Sequence, residues 1–371
     1  MNIHSNELNQ IYGEKMQESD YCEMSVKELN KESVACVATL SECENNITCD
    51  KLDTETFDNE KLTNGLKEKY LSCDFLESGM VLESRGVNHC CGKISSEFDQ
   101  NCIMEFNQTF DEDTDLFIEK FIEEKKKLIE LNRAGKETMC TSCEYLKEGY
   151  WEKKKKINSI NVSFDNSCNF RCVYCYKVRS GKSMTHMERS EEEILKKVLA
   201  VEKVDIDRQV IYSSGEISIQ PNVNKILDLL QKYDLSIFTN ASVYNERIHE
   251  IIKKKNCSMV VSVDSGTRET FKQIKGVDLF DRVWENIGKY ASENGNVILK
   301  YILMGSNFDA ENLNGFIEMC TKHGIKHIRI SRNWHYDGDK IENGVFKASL
   351  HLIRKAQKAG IIVHNDGVTQ I

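Results

Sequence analysis

From Ile157 onward, short runs rich in Val, Ile and Phe alternate with longer helical runs, and this order limits the available folds more than any other feature. The β-rich runs are Ile157–Phe164, Gln209–Ser213, Ser236–Thr239, Met259–Val263, Val297–Leu303 and His327–Ile330. Between them, helical patterns cover about Ser190–Glu202, Val223–Tyr233, Glu246–Lys255, Phe280–Ser292 and Ala310–His323. A helix at about Gly344–Ala359 leads to a seventh apolar stretch, Ile361–His364. Parallel strands cannot be joined by a tight turn, so strand–helix–strand order at this spacing predicts an α/β fold around a parallel sheet. Loops that follow the strands then gather at one end of that sheet.

The first of these loops holds Cys168-Asn169-Phe170-Arg171-Cys172-Val173-Tyr174-Cys175, three cysteines at C-x3-C-x2-C spacing. Such a run can turn its thiolates inward onto one inorganic core. Thiolates are the usual protein ligands of iron–sulfur clusters, and three of them on a four-iron cube leave one iron open. An open catalytic metal site follows the same logic. A second knuckle, Cys140-Thr141-Ser142-Cys143, supplies a rival reading. Cys140 and Cys143 could join Cys172 and Cys175 as a tetrathiolate zinc ribbon, which predicts a non-catalytic interaction protein. The ribbon leaves Cys168 unused.

Downstream loops add polar groups. Strand two ends in Ser213-Ser214-Gly215-Glu216, strand three in Thr239-Asn240-Ala241 and strand four in Ser262-Val263-Asp264-Ser265-Gly266. Glu216 is a carboxylate suited to an ammonium, or a solvated loop acid. Asn240 lines a pocket or caps its turn. Ser262 and Asp264 share a face by strand alternation, and equally suit ordinary turn chemistry. Lys300, Ser331 and Arg332 are weaker candidates.

With the cysteine spacing and the aromatic before the last cysteine, these motifs resemble the radical S-adenosylmethionine (radical SAM) superfamily over about residues 157–335. The resemblance implies a partial (β/α)6 TIM-like barrel with a [4Fe–4S] cluster on Cys168, Cys172 and Cys175. It further implies SAM on the open iron, with Tyr174 packed beside the adenine. Gly215 and Glu216 would hold the SAM amino group, Asn240 would line the pocket, and Ser262 and Asp264 would contact ribose or carboxylate. Ser214 replaces the first glycine of the family's Gly-Gly-Glu motif, Ile217 its frequent following proline, and Ala241 the glycine of Thr-Asn-Gly. The implied chemistry is reductive cleavage of SAM, with hydrogen abstraction from a peptide or small molecule. A one-electron donor such as flavodoxin or ferredoxin is the implied partner.

Upstream of the barrel lies a cysteine-rich extension. Residues 1–72 are acidic and polar, with Cys22, Cys36, Cys43 and Cys49 at loose spacings and short helical patterns at Val26–Glu32 and Glu60–Tyr70. Residues 73–152 read as a separate cysteine-bearing region before a core domain at 153–371. In it, Met80–Glu83 and Val87–Cys90 predict a hairpin around Ser84-Arg85-Gly86. A hairpin brings its ends together, so Cys73 could approach Cys90 and Cys91. A helix is expected over Asp113–Asn132, with Thr114 as N-cap and Gly135 beyond its end. The segment resembles a SPASM/twitch-type auxiliary-cluster region, placed before the barrel instead of after it. An auxiliary iron–sulfur cluster would then use Cys140 and Cys143, with Cys73 and one or both of Cys90 and Cys91, leaving Cys102 spare. Reduced, partly buried thiols are the plain alternative. Lys153–Lys156 reads as a solvated linker face.

Net charge is −9, so no overall basic field attracts nucleic acid. There is no run of about 18 apolar residues to suggest a membrane span. Met1–Glu7 lacks the basic and apolar parts of a secretory leader. Fifteen cysteines in that setting predict metal binding in a reducing, cytoplasmic compartment instead of a disulfide framework.

Overall fold

The computed structural model describes residues 68–90, 103–141, 143, 145–151, 156–164, 167–175, 190–213, 215–333 and 342–366, all within one compact unit, Leu62–Ile371. The pattern at Val26–Glu32, the cysteines Cys22, Cys36, Cys43, Cys49, Cys91 and Cys102, residue Ser214 and residues 153–155 lie outside that set.

In chain order, β1 (Glu68–Ser72) passes through Cys73 into α1 (Asp74–Ser78), and β2 (Gly79–Glu83) turns back as β3 (Gly86–Asn88). Then come β4 (Met104–Glu105), α2 (Gln108–Glu112), α3 (Thr114–Arg133) and β5 (Lys147–Trp151). The alternating part runs β6 (Ile157–Ser163), α4 (Glu191–Ala200), β7 (Val204–Tyr212), α5 (Val223–Leu230), β8 (Leu235–Thr239) and α6 (Glu246–Ile252). It continues with β9 (Cys257–Ser262), α7 (Arg268–Lys275), α8 (Phe280–Ala291), β10 (Val297–Leu303) and α9 (Ala310–Lys322). The described part ends with β11 (His327–Arg332), α10 (Glu342–Lys358) and β12 (Ile362–Asp366).

One sheet carries β12-β11-β10-β9-β8-β7-β6-β2-β3-β4. All pairings from β12 to β2 are parallel, and β3 and β4 add antiparallel edges. The sheet ends at β12 on one side and β4 on the other, so it is an open, partial barrel as expected. The parallel part of the sheet has two strands beyond the six expected. β12 joins the far end, and β2 of the extension lies parallel to β6, with Gly79–Glu83 against Ser159–Ser163. The cysteine-rich extension thus continues the barrel sheet.

Each strand sorts its residues by face. Along β10 burial strictly alternates: Val297, Leu299, Tyr301 and Leu303 are buried, while Ile298, Lys300 and Ile302 are half-buried. The buried set packs beneath helices whose apolar stripes include Trp284, Ile287, Leu313 and Phe316. Each such side chain contributes about 1.5–3 kcal/mol on burial. The opposite face mixes polar with apolar side chains: Gln209 donates to Ser236, which meets Ser258 at 3.3 Å across the next strand. That face lines the inside of the barrel.

Three local expectations change. Residues 68–70, read as the end of a helix, lie in β1, because pairing of Tyr70 with Gly149 overrides local helical preference. Asp113, not Thr114, caps α3: its Oδ1 accepts from Leu116 N at 2.9 Å, and Thr114 donates back to Phe110 O. Helix α7 was not expected. Its apolar stripe is only Phe271 and Ile274, but Thr267 caps its start and Gly276, at φ +70°, ends it.

Candidate active site

The cysteine loop follows β6 at the C-terminal ends of the parallel strands. It is tied down mostly by backbone. Arg171 N donates to Lys275 O and Val173 N to Ile274 O, both at 2.9 Å, and Glu216 N donates to Ser167 O at 2.7 Å. Phe170, buried, sets its ring edge-on to Phe271 of α7. Gly276 is required here, because a Cβ on it would come within 2.7 Å of the Arg171 Cβ. Cys168, Cys172 and Cys175 are free, half-buried thiols. Burial raises the pKa of Cys168, with the Glu216 charge acting the same way, while Asn240 and Phe170 donors oppose it. Burial likewise raises that of Cys172, and the adjacent Lys275 pulls it down.

Glu216 is fully buried beside this loop. Its Oε1 accepts from Ser218 N at 3.0 Å, from the Ser218 hydroxyl and from the Thr239 hydroxyl; its Oε2 accepts from Asn240 N. Burial raises its pKa, and these donors oppose the rise. An oxygen with two lone pairs and one donor keeps one acceptor direction, and here that oxygen is Oε2. Half-buried Gly215 directly precedes it. Asn240 caps its turn and also contacts the cysteine loop. Its Oδ1 accepts from Ser242 N as a turn cap, while its Nδ2 reaches Asn169 Oδ1 at 2.9 Å and Cys168 Sγ at 3.9 Å.

Asp264 and Tyr174 are used inside the protein. β9 ends at Ser262, and Asp264, at φ +60°, turns its carboxylate to a buried ion pair with Lys275. Asp264 Oδ2 also accepts from the Tyr174 hydroxyl at 2.7 Å, and Oδ1 from Ile302 N at 2.7 Å. Lys275 Nζ meets the Tyr174 oxygen at 2.7 Å. Burial, then the Asp264 charge, pushes the Tyr174 pKa well up. The carboxylate expected to face SAM thereby holds two protein donors at Oδ2 and one at Oδ1. Ser262 keeps its place on the inner face, half-buried and in register with Lys300. Lys300 is in turn in register with Arg329 on β11. Sequence reasoning missed Lys275 and Arg329. Alternation along His327–Arg332 could have found Arg329, which shares a face with Ser331; nothing local marks Lys275 as the partner of Asp264.

A second group of cysteines converges elsewhere. Cys73, Cys90, Cys140 and Cys143 line one small pocket together with His89. Burial pushes the Cys73 thiol up to about 11, with Cys90 and Cys140 close enough to add to the rise. His89 stacks on Phe121, is held down to about 3 by burial, and has no hydrogen-bond partner at Nδ1. Lys125, also buried, donates to Phe75 O at 2.7 Å and to Gly79 O. Burial holds Lys125 down to about 7, against the pull of neighbouring Cys73 and Cys90. Cys140 and Cys143 therefore group with Cys73 and Cys90, and Cys172 with Cys168, Cys175 and Lys275. The zinc ribbon joining the two knuckles is not formed.

Among the described residues no three His, Cys, Asp or Glu side chains converge tightly enough to hold one metal ion. This holds for both cysteine groups.

Residues 162–320 match the family model for the radical SAM superfamily. A probable GTP 3′,8-cyclase of Saccharolobus solfataricus is 27% identical over 216 residues, covering 54% of this chain and 69% of that protein. The GTP 3′,8-cyclase of Desulforamulus reducens is 29% identical over 140 residues, 36% of this chain and 43% of the relative. Among solved structures, Streptococcus suis SuiB bound to S-adenosylmethionine aligns with a TM-score of 0.48 at 11% identity, over 70% of this chain and 61% of that one. Cys168, Cys172, Cys175 and Glu216 lie inside the matched span, and the second cysteine group lies outside it.

Proposed function

We propose that this chain is an enzyme of the radical SAM superfamily, that Cys168, Cys172 and Cys175 hold its [4Fe–4S] cluster, and that Glu216 receives the SAM ammonium. When bound, cluster and SAM supply a 5′-deoxyadenosyl radical, with methionine as co-product, for hydrogen abstraction from a substrate carbon. The observation that carries this reading is the juxtaposition of three half-buried thiols with a buried carboxylate that keeps one acceptor direction, at the C-terminal ends of parallel strands. The residues fit the group: three cysteines leave one iron position to an exogenous ligand.

The chain's own residues hold and position. Arg171 and Val173 fix the loop against α7, Asn240 links Glu216 to Asn169, and the inner face of the sheet receives substrate. Lys300 and Arg329, side by side, suit a carboxylate or phosphate of SAM or substrate. GTP, named for two relatives, is the natural first probe of this row. The combined Lys300→Met and Arg329→Met variant is expected to bind GTP or SAM at least about 10-fold more weakly, with iron content unchanged. If equilibrium dialysis finds both affinities unaltered, the row carries no anion.

An auxiliary iron–sulfur cluster in the extension belongs to the same proposal, as does a one-electron donor of the flavodoxin or ferredoxin kind. Among the described residues no helix is long and apolar enough to cross a membrane.

Anaerobic reconstitution tests the core of the proposal. Wild type is expected to form 5′-deoxyadenosine from SAM under dithionite. A combined Cys168→Ala, Cys172→Ala and Cys175→Ala variant is expected to form none. Wild-type protein that takes up zinc and leaves SAM intact would sink the enzyme reading.

A further inference from the structure

We propose that the outer face of α10 docks an acidic peptide segment of a partner protein along a row of unpaired cations from Lys347 to Lys358. None of these residues belongs to the site at the ends of the parallel strands, so the proposal does not rest on the radical SAM reading.

The row is written into the helix. From Gly344 onward α10 has no acidic residue, while Lys347, Arg354, Lys355 and Lys358 are basic. Positions 347, 351, 354 and 358 fall at i, i+4, i+7 and i+11, which a period of 3.6 residues brings onto one face. The other face is apolar: Ala348, Leu352 and Ala356 are buried, and α10 packs on α9, β10 and β12. That packing leaves Lys347, Arg354, Lys355 and Lys358 exposed. His351 sits among them half-buried, its Nε2 at 3.0 Å from Asn314 Oδ1 on α9. With Leu350 and His351, the four cations line one open groove of about 340 Å³.

Ordinary solvated helix faces in this protein look different. Lys196 pairs with Glu192 on α4, Lys289 with Glu285 on α8, and Arg133 with Glu130 on α3, each three or four residues away. Among the described residues, no ion pair or side-chain hydrogen bond holds Lys347, Arg354, Lys355 or Lys358. Lys358 instead meets Arg354 and Lys355 at i−4 and i−3, spacings at which like charges repel and weaken a helix. The helix dipole accounts for Lys355 and Lys358, which lie in the last turn, and not for Lys347 or Arg354.

Charge and length select the partner. Net charge is −9, so the chain outside this row is more acidic still. Lys347 to Lys358 covers about 16 Å of helix, only about twice the distance over which physiological salt screens a charge. A long nucleic acid would run off the row onto acidic surface. About five residues of extended peptide cover the same length. Arg354 can grip a carboxylate with two parallel hydrogen bonds, and Leu350 offers the groove an apolar contact.

The test uses the full chain and two probes, a fluorescent oligoglutamate peptide and a single-stranded oligouridylate of equal charge, read by fluorescence anisotropy. Wild type should bind the peptide more tightly than the RNA, with affinity falling as salt is raised. Lys347→Glu combined with Arg354→Glu should weaken peptide binding at least about 10-fold, and Lys347→Gln with Arg354→Gln should weaken it less. Both changes are at exposed positions, so melting temperatures should match wild type. Lys120→Glu with Lys126→Glu, two exposed lysines of α3, should leave binding unaltered. No peptide binding by wild type at low salt, equal binding by the α10 variants, or equal loss in the α3 variant overturns the proposal. Tighter binding of the RNA overturns it too, and makes the row a nucleic-acid surface. Failure of the radical SAM reading looks different, because the protein would then bind the peptide through α10 and leave SAM intact.

Discussion

Glu216→Gln is expected to bind SAM roughly 100-fold more weakly than wild type while keeping its iron and losing about 1–3 kcal/mol of stability, because the amide nitrogen cannot accept from Asn240 N. The carboxylate holds four protein donors, and a glutamine oxygen can keep those on one side. What glutamine cannot supply is the charge that an ammonium would meet at Oε2. Losing one charge-assisted hydrogen bond, worth about 1.5–3 kcal/mol, accounts for most of the expected loss. Glu216→Ala is the harsher change, because it also orphans donors from Ser218, Thr239 and Asn240 at about 1–3 kcal/mol each. SAM affinity by equilibrium dialysis, iron content and melting temperature separate the two effects. A Glu216→Gln protein that binds SAM as tightly as wild type would remove Glu216 from the SAM site and leave it as a bracket for β8.

Much of this site was legible because its determinants are local. The spacing of Cys168, Cys172 and Cys175, and the position of Glu216 after a strand, survive intact from sequence to structure. Strand order was legible for the same reason: alternation and helix spacing are short-range signals. What depends on long-range register was not. Pairing of β2 with β6 merges the extension into the barrel sheet, and no pattern in Gly79–Glu83 announces its neighbour. Asp264 shows the limit most clearly. Strand alternation puts Asp264 on one face with Ser262, but nothing local marks the left-handed backbone at Asp264 or its buried ion pair with Lys275. The second cysteine group falls between these cases. A hairpin and a C-x2-C turn are local, so four of its cysteines could be nominated, while the imidazole of His89 reaches the pocket only through tertiary packing.

Asp264→Ala is expected to be the most destabilising single change near the site. Lys275 is 1% exposed and Asp264 is fully buried, so removing the carboxylate leaves an ammonium in the interior without its counter-charge. Breaking a buried pair from one side costs about 3–5 kcal/mol. Two further donors, the Tyr174 hydroxyl and Ile302 N, lose their acceptor as well. The damage should reach the cysteine loop, because the Lys275 carbonyl holds Arg171 N and the Lys275 ammonium holds Tyr174. The variant should therefore melt well below wild type and retain less iron after reconstitution. Replacing both partners, Asp264→Leu with Lys275→Met, removes the stranded charge and should recover much of the melting temperature. A contact with SAM alone would give the opposite pattern, with Asp264→Ala melting like wild type, holding full iron and failing only to bind SAM. Thermal unfolding of the three apoproteins, followed by iron counts after reconstitution, decides between a carboxylate that touches the cofactor and one that holds the loop in place.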